Sequence, residues 1–177
     1  MRRLLALALL FAAAGTACAD TLTGVVIVVI DGDTVLFKPE HDSPRSRSFL
    51  KVRLADIDAP EHDQPHGAAA TRTLKALVLN QRVVIDTVAT DVYGRKIARI
   101  RKGSLQVNAE LVRRGYAWAY GSTRASARSG PESFRASSRY RRNPALLDAQ
   151  RSARRARRGL WQDRAPTPPW VWRRLRN

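Results

Sequence analysis

The stretch VVIVVIDGDTVLF, Val25 to Phe37, joins two runs rich in β-branched residues through Asp31-Gly32-Asp33. Asp-Gly between two such runs is a strong hairpin-turn signal, so Val25–Ile30 and Thr34–Phe37 read as paired antiparallel strands. Working outward, a polar loop from Pro39 to Arg47 leads to Ser48–Ala55, whose alternating apolar and polar side chains read as a third strand. From Gly67 to Asn80 the period becomes helical: Ala70, Leu74, Leu77 and Val78 share one face, and Asn80 suits the helix end. Gln81–Thr87 and Lys96–Arg101 read as two more strands, joined by a loop holding Asp91-Val92-Tyr93-Gly94-Arg95. Asn108 is expected to cap a short helix that stops at Gly115, and a further helix is expected from Pro144 to Arg158, closing at Gly159. Gly121–Asn143 reads as a mobile surface loop, and the proline-interrupted Trp161–Asn177 as a segment with little regular structure. Five short strands with one helix between the third and fourth predict an α+β fold: a five-stranded OB-type β-barrel with three packed helices.

The N-terminus has the character of an address. Met1-Arg2-Arg3 is basic, Leu4–Ala14 is apolar, and Ala17-Cys18-Ala19 offers small residues for cleavage, so residues 1–19 are expected to be a signal peptide and the mature chain to start near Asp20. This implies a secreted or periplasmic protein. Lipidation of Cys18 is the rival reading, disfavoured by Gly15 where such sites prefer a larger aliphatic. The apolar run is too short for a membrane span, which needs about 20 residues. Cleavage at Ala19 removes the single cysteine, which excludes a disulfide scaffold or a thiolate metal site. The 177 residues suit one domain, expected over 20–163 and followed by a basic Pro/Trp-rich tail over 164–177.

Charge narrows the partner. Of 32 Lys and Arg, removing Arg2 and Arg3 leaves 30 against 15 acidic residues, a net charge near +15. That balance suits a polyanion: nucleic acid, an anionic membrane surface or an acidic polysaccharide. From Arg124 onward there are 15 arginines against Glu132, Asp148 and Asp163, so the C-terminal third is the most basic.

Against this background RLADIDAPEHDQPHG, Arg53 to Gly67, gathers Asp56, Asp58, Glu61 and Asp63 within eight residues. Asp33, Asp58 and Glu61 are hard oxygen donors, and a cation shared among them would be calcium or magnesium. Pro60 pushes Ala59 into an extended conformation, from which its carbonyl can be offered between two acidic side chains. Arg53 and Asp58 have opposite parity along a continued strand, so a bend or bulge near Ala55–Ile57 is expected if they are to act together. His41, His62 and His66 lack a regular spacing and read as exposed loop residues rather than zinc ligands.

Taken in order, Ile30-Asp31-Gly32-Asp33-Thr34, Val52-Arg53-Leu54 with Asp58-Ala59-Pro60-Glu61, Asp91-Val92-Tyr93-Gly94-Arg95, Val107-Asn108 with Leu111-Val112-Arg113-Arg114-Gly115, and Arg158-Gly159-Leu160-Trp161 resemble the staphylococcal nuclease (thermonuclease) family. The resemblance runs from about Val25 to Trp161. It implies an OB-type barrel, a bound calcium ion (Ca2+), and hydrolysis of DNA and RNA phosphodiesters to 3′-phosphate ends with low sequence specificity. By position it implies Asp33 and Asp58 as carboxylate ligands, Ala59 as a carbonyl ligand and Asp31 in the outer shell. Arg53 and Arg95 would hold the scissile phosphate, Glu61 would position or deprotonate the attacking water, and Tyr93 and Tyr120 would lie against the nucleotide. Ala59 stands where the best-known member has Thr, which a carbonyl ligand tolerates, and Gly121–Asn143 is longer and more basic than the family leads one to expect.

These roles suit the chemistry on their own terms. Hydrolysis adds negative charge at phosphorus, and paired arginine N–H donors and a Lewis-acidic metal both stabilise it. A non-catalytic nucleic-acid-binding OB-fold module is the alternative, but it has little use for Asp33, Arg53, Asp58, Glu61 and Arg95 together. A cationic membrane-active or wall-binding protein would not need the carboxylates at all. A monomer is expected.

Overall fold

The computed structural model describes residues 20–40, 48–120 and 143–176. The expected signal peptide, His41 and nearly all of the Gly121–Asn143 loop lie outside the described residues.

The Val25–Phe37 stretch does form a hairpin. Strand β1 (Thr21–Val29) pairs antiparallel with β2 (Thr34–Pro39), and the turn is closed by Ile30 N–H donating to the Thr34 carbonyl at 2.8 Å. β1 shifts register between Val26 and Val28. That bulge bends the strand, so its first half can pair with β5 (Arg82–Thr90) while its second half follows β2. β2 continues to β3 (Leu50–Leu54), and β5 to β6 (Lys96–Lys102). The sheet closes where β3 pairs parallel with β6, with Arg53 opposite Ile97. Five strands in the order β3-β2-β1-β5-β6 therefore form a closed OB-type barrel.

Alternation supplies the interior. Val26, Val35, Phe37, Val52, Leu54, Ile85 and Ile100 are fully buried, and each such side chain contributes about 1.5–3 kcal/mol relative to exposure. Helix α1 (Gly67–Val78) covers one end with Ala70, Leu74, Leu77 and Val78, as its period requires. It ends where Asn80 takes a left-handed φ of 57° and donates its N–H to the Val26 carbonyl. β4 (Ile57–Asp58) precedes α1. After β6, β7 (Leu105–Gln106) leads into α2 (Val107–Arg113), and the chain then forms β8 (Trp118–Ala119), which pairs with β4. α3 (Pro144–Arg155) packs on α2, with the Asn143 side chain capping Ala145 and Leu146 N–H and Pro144 opening the helix.

Two expectations are corrected. Asn108 does not cap α2: it lies inside the first turn, where its Oδ1 accepts from Ile100 N–H at 3.0 Å and its Nδ2 donates to the Ala55 carbonyl at 2.8 Å. It ties α2 to the barrel instead. Secondly, the tail contains a fourth helix, α4 (Pro169–Leu175), where little regular structure and only three helices were expected. Trp170 is 3% exposed and meets Trp118 edge-on with ring centroids 5.5 Å apart; Trp161 meets Trp118 at 4.4 Å. Burial of one indole against two others outweighs the weak helical signal of so short a segment.

Candidate active site

The site forms where the β1–β2 turn, the end of β3 and the β5–β6 loop meet. The expected bend exists: Asp56 adopts a positive φ of 65°, and its carboxylate is held by Arg99 Nε at 2.7 Å. After this turn β4 re-enters on the other face of the chain, and Asp58 comes onto the side of Arg53. Arg53 Nη2 donates to Asp58 Oδ1 at 2.8 Å. Its Nη1 lies 2.5 Å from Asp33 Oδ2, a close ionic contact that is not aligned as a hydrogen bond, so that buried N–H group has no hydrogen-bond partner among the described residues.

Backbone geometry sets the two aspartates. Asp31 Oδ1 accepts from Asp33 N–H at 2.9 Å, fixing the turn, while Asp33 Oδ2 accepts from Ala59 N–H at 2.7 Å and so fastens the turn to the Asp-Ala-Pro-Glu step. Gly32 permits this approach: a Cβ there would stand 2.7 Å from the Ala59 Cβ and 2.9 Å from the Ala70 Cβ. Gly67 does the same for Glu61, since a Cβ on it would fall 1.8 Å from the Glu61 carbonyl oxygen. Gln64, which the sequence reading passed over, is buried and accepts from Glu61 N–H at 3.1 Å through its Oε1. On the opposite wall Asp91 holds Arg95, accepting from its Nε at 2.7 Å and from its backbone N–H at 2.9 Å. The Nε is thereby used, and among the described residues neither terminal nitrogen bonds a carboxylate.

Asp31, Asp33, Arg53, Asp58, Ala59, Glu61, Tyr93, Arg95 and Tyr120 all line one cavity of about 570 Å³. Every site residue expected from sequence thus borders a single space. Tyr93 is 78% exposed on the loop tip, with the Arg95 guanidinium 5.5 Å from its ring centroid. Tyr120 is more enclosed, packed beside Ala55 and Ile97, and its hydroxyl accepts from Arg53 Nη2 at 3.4 Å. Of the histidines within the described residues, His66 pairs with Asp163 at 3.0 Å, remote from this cavity.

Electrostatics follow from burial. Asp31 is pushed up to about 6, chiefly by desolvation and then by Asp33 beside it. Burial also pushes Asp58 up, against the pull of Arg53 and Arg173. Burial opposes charge on Arg53 too, but Asp33 foremost, with Tyr120 and Asp58, keeps it protonated well above its usual range. The Tyr120 hydroxyl is pushed up to about 12 by burial and by Asp58. One residue was missed entirely by the sequence reading: Arg173, on α4, reaches into the same cavity and bonds Asp58 and Glu61.

A closed OB-type barrel thus carries acidic side chains and cationic groups around one cavity, and the likeness to known proteins makes this a hydrolytic endonuclease. The family described as "Staphylococcal nuclease homologue" matches residues 51–163, and the chain belongs to that family. It is 34% identical over 174 residues to an "Uncharacterized endonuclease" of Escherichia coli O157:H7, covering 98% of each chain. It is also 34% identical over 163 residues to a "Micrococcal nuclease" of Shigella flexneri, covering 85% of this chain and 80% of the relative. An "Uncharacterized endonuclease" of Haemophilus influenzae is 32% identical over 171 residues.

Proposed function

We propose that this nuclease is a calcium-dependent phosphodiesterase that hydrolyses DNA and RNA with low sequence specificity, leaving 3′-phosphate ends. The observation that carries the reading is the meeting of the Asp33, Asp58 and Glu61 carboxylates with the Arg53 and Arg95 guanidinium groups around one cavity. Carboxylates facing guanidinium groups across one cavity suit a divalent ion and a phosphodiester together, since each cation meets negative charge.

The donor chemistry suits a hard cation, the Asp33 and Asp58 carboxylates and the Ala59 carbonyl all being oxygen with Asp31 behind Asp33, although among the described residues no three acidic or histidine side chains are already gathered to hold an ion. Once bound there, calcium would supply Lewis-acid stabilisation of the phosphate oxygens. The remaining work falls to side chains. Arg53 and the terminal nitrogens of Arg95 bind the phosphate and neutralise the charge that builds during attack. Glu61 orients the attacking water and accepts its proton as the water oxygen bonds to phosphorus, and the P–O5′ bond breaks, so that the phosphate stays on the 3′ side and the leaving 5′ oxygen takes a proton from solvent to become a hydroxyl. Tyr120 supports Arg53 through its hydroxyl, and the exposed Tyr93 ring offers a surface for a base at about 1–3 kcal/mol.

The reading extends to the whole chain as an exported monomer, cut near Ala19, with the nuclease unit over 20–163 and the basic tail after it. Among the described residues no helix is long and apolar enough to cross a membrane. Digestion of plasmid DNA and of RNA with calcium and then with chelator, followed by end-group labelling, tests the function. Cleavage that persists in chelator would remove the metal, and 5′-phosphate products would remove the bond assignment.

A further inference from the structure

Arg173 does not belong to any stretch that marks the family, yet its position is held by several independent contacts. Trp170 anchors α4 in the tryptophan cluster, and Gln64 Nε2 donates to the Thr167 carbonyl at 2.5 Å just upstream. Residues three apart share a helix face, so Arg173 is carried from that anchor to the acidic cavity. There its Nη2 donates to Asp58 Oδ2 at 2.8 Å, its Nη1 lies 3.3 Å from Asp58 Oδ1, and Nη1 also bonds Glu61 Oε1. Trp172 Nε1 donates to Asp63 at 3.3 Å, and Arg176 pairs with the same carboxylate.

The consequence is a competition for oxygen atoms. Asp58 Oδ1 is shared between Arg53 and Arg173, and Oδ2 is taken by Arg173. A divalent ion would need the same lone pairs, and like charges would repel it from a seated guanidinium. The guanidinium delivers one delocalised charge where a metal would deliver two, and its side chain remains 39% exposed, so it can leave towards solvent.

We infer that Arg173 is a further residue of the active site that sets its metal affinity. Its guanidinium holds the Asp58 and Glu61 oxygens, and a divalent cation binds there only as Arg173 withdraws and α4 loosens. This inference rests on the metal reading above. Arg173 thereby acts as a latch whose closed population lowers the apparent affinity by the fraction of molecules that are open.

Titration calorimetry of the full mature chain with calcium chloride, on wild type and on Arg173→Ala, measures that fraction. Removing the guanidinium should lower the calcium Kd by about tenfold or more, and Arg173→Lys, which keeps charge but loses the fork, should fall between. Hydrogen exchange on the wild type gives a second readout that needs no variant: amides of residues 171–175 should exchange faster with saturating calcium than without. Equal or weaker calcium binding by Arg173→Ala, or α4 amides that calcium leaves unchanged or protects, would overturn the latch while the metal site stood. No saturable calcium binding by either protein would overturn the metal site and the latch together.

Discussion

The Arg53 guanidinium and the Asp58 carboxylate meet at 2.8 Å with both side chains at or below 10% exposure. Such a pair is costly to break from one side, since the remaining charge stays buried, so the informative substitution keeps the charge. Arg53→Lys should fold, with a melting temperature within a few degrees of wild type, because an ammonium still faces the aspartates. It cannot reproduce the forked geometry, and kcat on an oligonucleotide should fall by about 10²–10³. Near-native kcat would show that the fork does not hold the phosphate.

The Glu61 backbone is positioned by Gln64 and Gly67, and its carboxylate is held by Arg173. Glu61→Gln preserves size and can still face Arg173, but it cannot take a proton. Turnover should drop by about 10²–10⁴ with little change in KM. Steady-state kinetics check this, and a rise in KM with kcat intact would reassign Glu61 to substrate binding.

Asn108 satisfies one donor and one acceptor on two different segments, both buried. Asn108→Ala strands Ile100 N–H and the Ala55 carbonyl, and urea unfolding should show a loss of about 2–4 kcal/mol. A loss below about 0.5 kcal/mol would mean that water replaces the amide at little cost.

Glu110 provides the pH test. Hydrogen bonds from Arg113 foremost, and from Arg114, outweigh its burial and lower its pKa from 4.5 to about 2. A depressed folded-state value stabilises fully above the unfolded value, and that contribution is lost as pH falls from 4.5 towards 2. Both arginines are roughly half exposed, so the contribution is about 1–2 kcal/mol. Glu110→Gln should lose that much at pH 7 and show a shallower decline of stability below pH 4.5. An unchanged acid limb by urea titration would refute the pairing.

The hairpin, α1 and the cavity residues were legible in the sequence because each rests on a local signal: a turn dipeptide, a change of period, or an ordered set of short motifs. The bend at Asp56 was also legible, since Arg53 and Asp58 could not otherwise share a face. Pairings without a local signature were not. The two-residue β4 and β8 strands exist only because each partners the other. Asn108 carries the same helix-start signature whether it caps or reaches sideways, and only the neighbouring strand decides. Arg173 lies 115 residues from Asp58 in a segment whose prolines suggest irregular chain, and nothing local says that Trp170 will be buried. Its contribution is fixed by tertiary packing alone.

The parallel pairing of β3 with β6 also decides when the site can exist. Arg53 stands on one side of that seam, opposite Ile97, and Arg95 lies just before the strand on the other side. The two guanidinium groups proposed to hold the phosphate thus approach one another only in a chain whose barrel has closed. A still-unfolded copy carries the same side chains yet cannot bring them to one cavity, so the site comes into being only with the closed barrel.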